Sequence, residues 1–510
     1  MKSKKSIKLL FVLFITCLAW QRLVAAEMKP NIVFILCDDL GYGDVHALNP
    51  EHGKISTPCM DKIISEGLAF TEAHSSAAVC TPSRYSVLTG RYCWRTKKQT
   101  SVIFIPNYKD LIAPDRLTLP KVLKTAGYQT AMFGKWHLGA DVSMKAKSEI
   151  DFTKKIGGGP LGAGFDYYYG FLNSLDMMPY VYIENDHWVG IPTEKMERNK
   201  SPHVRPGPKM AGFELEQGLP EMAKRTIEYI HQNAKSDKPF FAYVTLPSPH
   251  TPHVPAKEWD GKSNLGKYAD YVMETDFYIG EIADALKSEG IDSKTLFIVS
   301  SDNGCSPDAG TINLEAAGHF ASGDRRGYKT DIWDGGHRIP LLVKWPDVVK
   351  PGRKSTQIAG LQDWFATFAE IVGFKVPDNA GEDSFSVLPI LQGKEQSSRT
   401  SIIYHSIKGC FAIQSGPWKL EFTQGSGGRD KGGVTDTPGQ LYEMSQDIGE
   451  KTNVYGKNPE IVNQLTKLIE KQISEGRSTP GAKQSNDTKV ILWKKEGNST
   501  KDDAGHDGEG

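Results

Sequence analysis

Cysteine is scarce in this sequence. Seven occur in 510 residues, with no Cys-x-x-Cys pair and no histidine-rich tract beside them, so the spacings of a structural zinc site are missing. An excess of either charge is missing too. Lys and Arg number 61 and Asp and Glu number 61, which leaves no electrostatic footprint for nucleic acid. No repeat recurs along the chain. No apolar run reaches the length of a transmembrane helix, and the run at the N-terminal end extends only from Leu9 to Trp20.

That short run has another meaning. Lys2, Lys4, Lys5 and Lys8 precede it, and Val24-Ala25-Ala26 offers small residues after it, the pattern of a secretory signal peptide. Residues 1–26 are therefore expected to be removed on export, to the periplasm or beyond the cell. A lipid-anchored form through Cys17 is the less favoured outcome, because Thr16 fits poorly before a lipoprotein cysteine. The segment carries five positive charges and no acid, so the remaining chain carries a net −5. A mildly acidic protein that binds a polyanion must create its positive potential locally. Six cysteines remain, and export permits disulfides. Few are expected, because Cys37 and Cys80 lie in motifs that account for their thiols.

What the chain does contain is one form used four times: a short buried strand running into polar residues. The stretch 31–37 leads into Asp38-Asp39, and 128–133 into Gly134-Lys135-Trp136-His137. The stretch 240–246 leads into Pro247-Ser248-Pro249-His250, and 296–301 into Asp302-Asn303. Helical patterns precede three of these strands. One spans 118–127, capped by Thr118 and closed by Gly127. Another spans 220–231, with Met222, Ile227 and Ile230 near one face, and a third spans 271–286, with Phe277, Ile279, Ile282 and Leu286. Helix alternating with buried strand predicts an α/β fold with a doubly wound, mostly parallel sheet. Ligands bind beyond the carboxyl ends of such strands, so the four polar clusters should meet on one rim.

The stretch 140–209, rich in glycine and aromatics, has no clean period and reads as a substrate-facing wall. Beyond 401, short alternating runs and an amphipathic helix over 461–473 predict a smaller antiparallel sheet plus helix. The expected organisation is a signal peptide 1–26, a catalytic domain 27–400, a C-terminal subdomain 401–479 and a flexible polar tail 480–510.

The densest signal is Cys80-Thr-Pro-Ser-Arg-Tyr-Ser-Val-Leu-Thr-Gly90. It matches the Cys-x-Pro-x-Arg pattern, with its Leu-Thr-Gly tail, of type-I, formylglycine-dependent sulfatases. From about residue 29 to its C-terminal helix the chain resembles this family of the alkaline-phosphatase superfamily, on the arylsulfatase and N-acetylgalactosamine-6-sulfatase side. The resemblance implies an alkaline-phosphatase-like sheet. It also implies a maturation partner, a formylglycine-generating or anaerobic sulfatase-maturing enzyme, that oxidises Cys80 to formylglycine (3-oxoalanine), whose hydrate is a geminal diol. One diol oxygen can attack sulfur and the other can expel sulfate as the aldehyde re-forms. Serine and unmodified cysteine lack that second oxygen.

Such a nucleophile needs activation. Asp38, Asp39, Asp302 and Asn303 are hard oxygen ligands from two strand ends. They resemble the family's site for one calcium ion per chain, completed by residue 80. The resemblance further implies that Arg84 holds the formylglycine, that Lys135 and Lys329 bind sulfate, that His137 deprotonates the diol, and that His250 faces the ester oxygen as proton donor. Lys329 lies in the stretch 327–340, which fits a Lys-containing segment ending in Gly-Gly-x-Arg-x-Pro. His253, His337 and Arg338 are candidates for substrate contact, and for the two histidines a structural hydrogen bond is the competing reading.

The function expected from the resemblance is hydrolysis of a sulfate ester to an alcohol and sulfate. Export and the Gly- and aromatic-rich loops favour a sulfated carbohydrate, either algal polysaccharide or a glycosaminoglycan oligosaccharide, degraded for nutrition. Two other readings share the pattern: a phosphonate or phosphodiester hydrolase on the same scaffold, and an inactive protein that binds sulfated glycans.

Overall fold

The computed structural model describes residues 29–104, 108–146, 149–198, 203–394 and 397–494. The expected signal peptide, with Cys17, lies outside them. Five parallel strands make the centre of the main sheet, in the spatial order Thr295–Ser301, Asn31–Asp38, Phe240–Pro249, Gln129–Lys135 and Tyr167–Phe171. Antiparallel Leu341–Lys344 extends one edge, followed by Leu68–Phe70 and Arg353–Ser355. The hairpin Ile183–Glu184 and His187–Trp188 closes the other.

Alternation along the central strand divides the core in two. Ile32, Phe34 and Leu36 pack on one face with Trp364, Phe365 and Phe368. Val33, Ile35 and Cys37 pack on the other with the helices Gly218–Asn233 and Lys267–Ser288, through Met222, Ile230, Val272, Ile279 and Ile282. With both faces covered, every residue from Ile32 to Cys37 is buried, which is why the strand reads as an unbroken apolar run. Phe277 departs from expectation. It is exposed and packs against Trp259, because residues two apart on a helix do not share a face and Ile279 takes the core side.

The strands Ser401–His405, Phe411–Ser415, Trp418–Glu421 and Gln440–Glu443 form an antiparallel meander. The helix Pro459–Glu475 covers it through Leu465 and Ile469. This unit shares its core with the larger one, since Tyr92 and Trp94 complete the same cluster. The described part of the polar tail is tied down rather than free. Arg95 O accepts from the Asp487 backbone N–H at 2.7 Å, Arg95 donates to Asn486 at 3.0 Å, and Arg91 pairs with Asp487 at 3.0 Å. Polar composition predicted solvent as the partner of these side chains, and buried arginines take its place. All six cysteines of the described residues are free thiols. No helix among the described residues is long and apolar enough to cross a membrane.

Candidate active site

The strand ends meet as their register dictates. Cys37 is paired with Ser301, so Asp38-Asp39 and Asp302-Asn303 emerge side by side. The Leu40 N–H donates to Ser301 Oγ at 2.9 Å and locks the two turns together. Lys135 ends its strand, and His137 follows with its N–H donating to Leu172 O at 2.7 Å. His250 follows the strand Phe240–Pro249. Cys80 opens the helix Cys80–Thr89, all of whose residues are buried. Asp39, His137 and Thr330 have φ of 70°, 60° and 87°. Non-glycine residues in the left-handed region mark a backbone that its surroundings over-determine.

The floor of the site is a lattice of opposite charges. Lys135 Nζ lies 2.7 Å from Asp38 Oδ2, and Lys329 Nζ lies 2.7 Å from Asp39 Oδ1. Arg84 donates to Asp302 Oδ2 through Nε at 2.9 Å and to Lys135 O through Nη1 at 3.2 Å, and its Nη2 lies in ion-pair contact with Asp302 Oδ2 at 2.7 Å. Burial opposes ionisation of Asp38, but Lys135, His250 and Arg84 hold its carboxyl well below the usual range. Asp302 goes the other way: burial, and then the charge of Asp38, push it up to about 6.

Two buried oxygens on this floor, Asp38 Oδ1 and Asn303 Oδ1, have no hydrogen-bond partner. Asp38, Cys80 and Asp302 can each offer a ligand atom within 4.8 Å of the others. Buried acceptors without donors are costly, and apart from the Cys80 sulfur the donors here, Asp38, Asp39, Asp302 and Asn303, are all oxygens, which suits a hard divalent cation. These residues therefore fit calcium. Burial raises the pKa of the Cys80 thiol, so as a thiol it is a poor nucleophile.

The histidines are fixed in opposite senses. His137 Nε2–H donates to Ile103 O at 2.7 Å, and its buried Nδ1 has no partner. Burial, with Lys135 and Arg84 nearby, keeps this ring neutral, its pKa well below the ordinary value. His250 instead donates from Nδ1 to Thr251 O at 2.7 Å, and its Nε2 lies 3.8 Å from Asp39 Oδ2.

Cys80, His137, His250 and Lys329 line one cavity of about 220 Å³. Arg84, Lys135 and the acidic floor lie buried beside it. The same cavity is walled by Phe104, Asp176, His203, Arg205, Asp308 and Arg429, none of which the sequence reading singled out. They are solitary polar or aromatic residues, all on loops except Asp308 in the single turn Pro307–Ala309, and no local pattern marks them. A larger cleft of about 850 Å³, lined by Arg325, Arg326 and Lys451 among others, contains none of the predicted site residues.

Three predicted substrate contacts fall outside the cavity lining. His253 packs edge-on against Tyr268, ring centres 5.3 Å apart. His337 is fully buried, 3.1 Å from His74 and 3.0 Å from Ile332 O. Arg338 pairs at 2.8 Å with both Asp334 and Glu72. The competing reading of His337, a structural hydrogen bond, is the one realised. The short helix Asp334–His337 turns these side chains into a buried ionic cluster instead of toward the rim.

A family model described as Sulfatase matches residues 30–374, and one described as N-sulphoglucosamine sulphohydrolase, C-terminal, matches residues 328–478. The chain is 33% identical over 491 residues to an N-acetylgalactosamine-6-O-sulfatase of Bacteroides thetaiotaomicron, with 87% of this chain and 93% of the relative covered. It is 30% identical over 475 residues to human arylsulfatase A, with 87% and 88% covered. A solved Bacteroides thetaiotaomicron protein from work on the metabolism of multiple glycosaminoglycans superimposes with a TM-score of 0.78 at 31% identity, covering 87% of this chain and 99% of that one.

Proposed function

This chain belongs to the sulfatase family and is a sulfuric ester hydrolase, and from that premise we propose that it is an exported, calcium-dependent enzyme that removes sulfate from a carbohydrate through a formylglycine made from Cys80. The observation that carries the proposal is the convergence of Cys80, two oppositely held histidines and Lys329 in one cavity, beside a carboxylate (Asp38) and an amide (Asn303) that each keep an oxygen without a hydrogen-bond partner. When present, calcium held by Asp38, Asp39, Asp302 and Asn303 would neutralise sulfate charge, and formylglycine would supply a nucleophile with a second oxygen through which sulfate can leave.

The remaining work falls to the chain's own side chains. Arg84 braces Asp302 against the backbone of Lys135. Lys329 presents an ammonium group to the cavity, where a sulfate oxygen needs a cation. Lys135 adds a second from the buried floor. His137 can accept a proton only at Nδ1, because Nε2–H is committed to Ile103. His250 can donate from Nε2 toward an ester oxygen only as the imidazolium, because Nδ1–H is committed to Thr251. A proton acceptor and a proton donor on one rim are what hydrolysis of a poor-leaving-group ester requires.

Carbohydrate is supported by the similarity to N-acetylgalactosamine-6-sulfatases, and export by the composition of residues 1–26. The test has two arms. Mass spectrometry of the tryptic peptide with Cys80 should find an aldehyde in place of the thiol, and a thiol in fully active enzyme would overturn the formylglycine. Turnover of N-acetylgalactosamine 6-sulfate and sulfated galactan oligosaccharides is then compared with that of nitrophenyl sulfate. Activity confined to the aryl ester would remove the carbohydrate.

A further inference from the structure

Resting on the reading of the substrate as a sulfated carbohydrate, we propose that Phe104 and Arg205 form a second subsite in the wall of the cavity. It takes an anionic sugar residue, bearing carboxylate or sulfate, next to the one that carries the scissile ester. Phe104 is 38% exposed, so its ring offers an open apolar face. The Arg205 guanidinium lies 5.0 Å from the centre of that ring. Stacking of this kind holds a planar fork of donors in place, and the fork matches the oxygens of a carboxylate or sulfate.

The position is built rather than incidental. The Arg205 N–H donates to Asp176 O at 2.9 Å, and the Tyr180 hydroxyl donates to Arg205 O at 2.6 Å. Tyr180 and the neighbouring Val204 are each 1% exposed. An anchored backbone thus carries an exposed side chain.

Charge accounting along the wall leaves this cation for a ligand. Lys329 is paired with Asp39 and Arg429 with Asp308, each at 2.7 Å. Asp176 faces the ring of His250 at 3.9 Å. Among the described residues no carboxylate forms an ion pair with Arg205. A chain whose charge is −5 without residues 1–26 must meet a polyanion through such local groups.

The test is calorimetric binding to the Cys80→Ala protein, which cannot turn over its ligand. Three disaccharides are compared, in which N-acetylgalactosamine 6-sulfate is joined to glucuronic acid, to sulfated glucose or to uncharged glucose. The anionic pair should bind about tenfold more tightly than the neutral one. Adding Arg205→Ala should bring that ratio to about one, and Arg205→Glu should bring it below one. The difference between the two anionic arms tells carboxylate from sulfate. Equal binding of all three, or loss of the same factor from all three in Arg205→Ala, overturns the subsite and leaves the carbohydrate reading standing. No binding of any sugar overturns both.

Discussion

His137 and His250 stand on the same rim with opposite nitrogens committed to backbone carbonyls. That difference makes their variants distinguishable. A sugar alkoxide leaves poorly and gains from protonation, whereas nitrophenolate does not. His250→Ala should therefore lower kcat/KM on a sulfated sugar by about 10²–10⁴-fold and on nitrophenyl sulfate far less, while His137→Ala should slow both alike. Equal losses from His250→Ala on the two substrates would make it a sulfate-binding residue instead. The ordered tautomers were not legible in the sequence, because His137 depends on a carbonyl 34 residues away and His250 on how the backbone folds at the adjacent Thr251. The motif residues themselves were legible, since Cys80, Arg84, Lys135, His137, His250 and Lys329 each follow a recognisable local pattern. Asp176, Arg205 and Arg429 were not, because a loop residue acquires its neighbours only on folding.

The strands that read most clearly are those buried on both faces, where apolar runs are unbroken. The strands at one side of the sheet, Leu68–Phe70 and the edge strand Arg353–Ser355, are three residues each, too short to leave a period. In the C-terminal sheet Trp418–Glu421 carries a fully buried lysine. Lys419 Nζ reaches Glu450 at 2.6 Å, Glu421 at 3.2 Å and Ile332 O at 3.0 Å. Removing the cation strands two buried carboxyls, so Lys419→Met should cost about 3–5 kcal/mol in urea unfolding. A loss under about 1 kcal/mol would mean that both carboxyls are already protonated.

His405, at the end of the strand Ser401–His405, gives a prediction in pH. Burial lowers its pKa to about 4, below the ordinary value near 6.5. As pH falls between these values the unfolded chain takes up a proton that the folded chain refuses, so stability falls. His405→Asn lacks this penalty. Relative to the parent it should gain up to about 3 kcal/mol between pH 7 and pH 4. A difference that stays flat with pH would show that the folded protein admits the proton.

For the whole molecule, Asp38, Asp39 and Asp302 concentrate acidic charge where the parallel strands end. A cation bound there stabilises the folded state by mass action. Chelation should abolish turnover and lower Tm, and calcium at about 100 times its Kd should restore about 2.7 kcal/mol. Zinc found in stoichiometric amount in the purified active enzyme, with little calcium, would contradict the oxygen-donor argument. The doubly wound plan was legible because it follows from the order of elements. The union of the two units was not, since it rests on Tyr92 and Trp94 entering a core built mostly from residues beyond 400.

The burial of Cys80, 2% exposed at the head of a helix with no open face, sets a schedule. On the proposed conversion of Cys80 to formylglycine, the enzyme that oxidises it would need access to this stretch, and the folded protein buries it. The residues that tie down Arg91 and Arg95, just beyond the helix, are Asp487 and Asn486, which are synthesised long after it. At about 5–20 residues per second, the roughly 400 residues between them take some 20–80 s to synthesise. On that reading oxidation falls within this interval, so a variant that folds its N-terminal part faster should be isolated less active, with more of residue 80 left as a thiol by mass spectrometry.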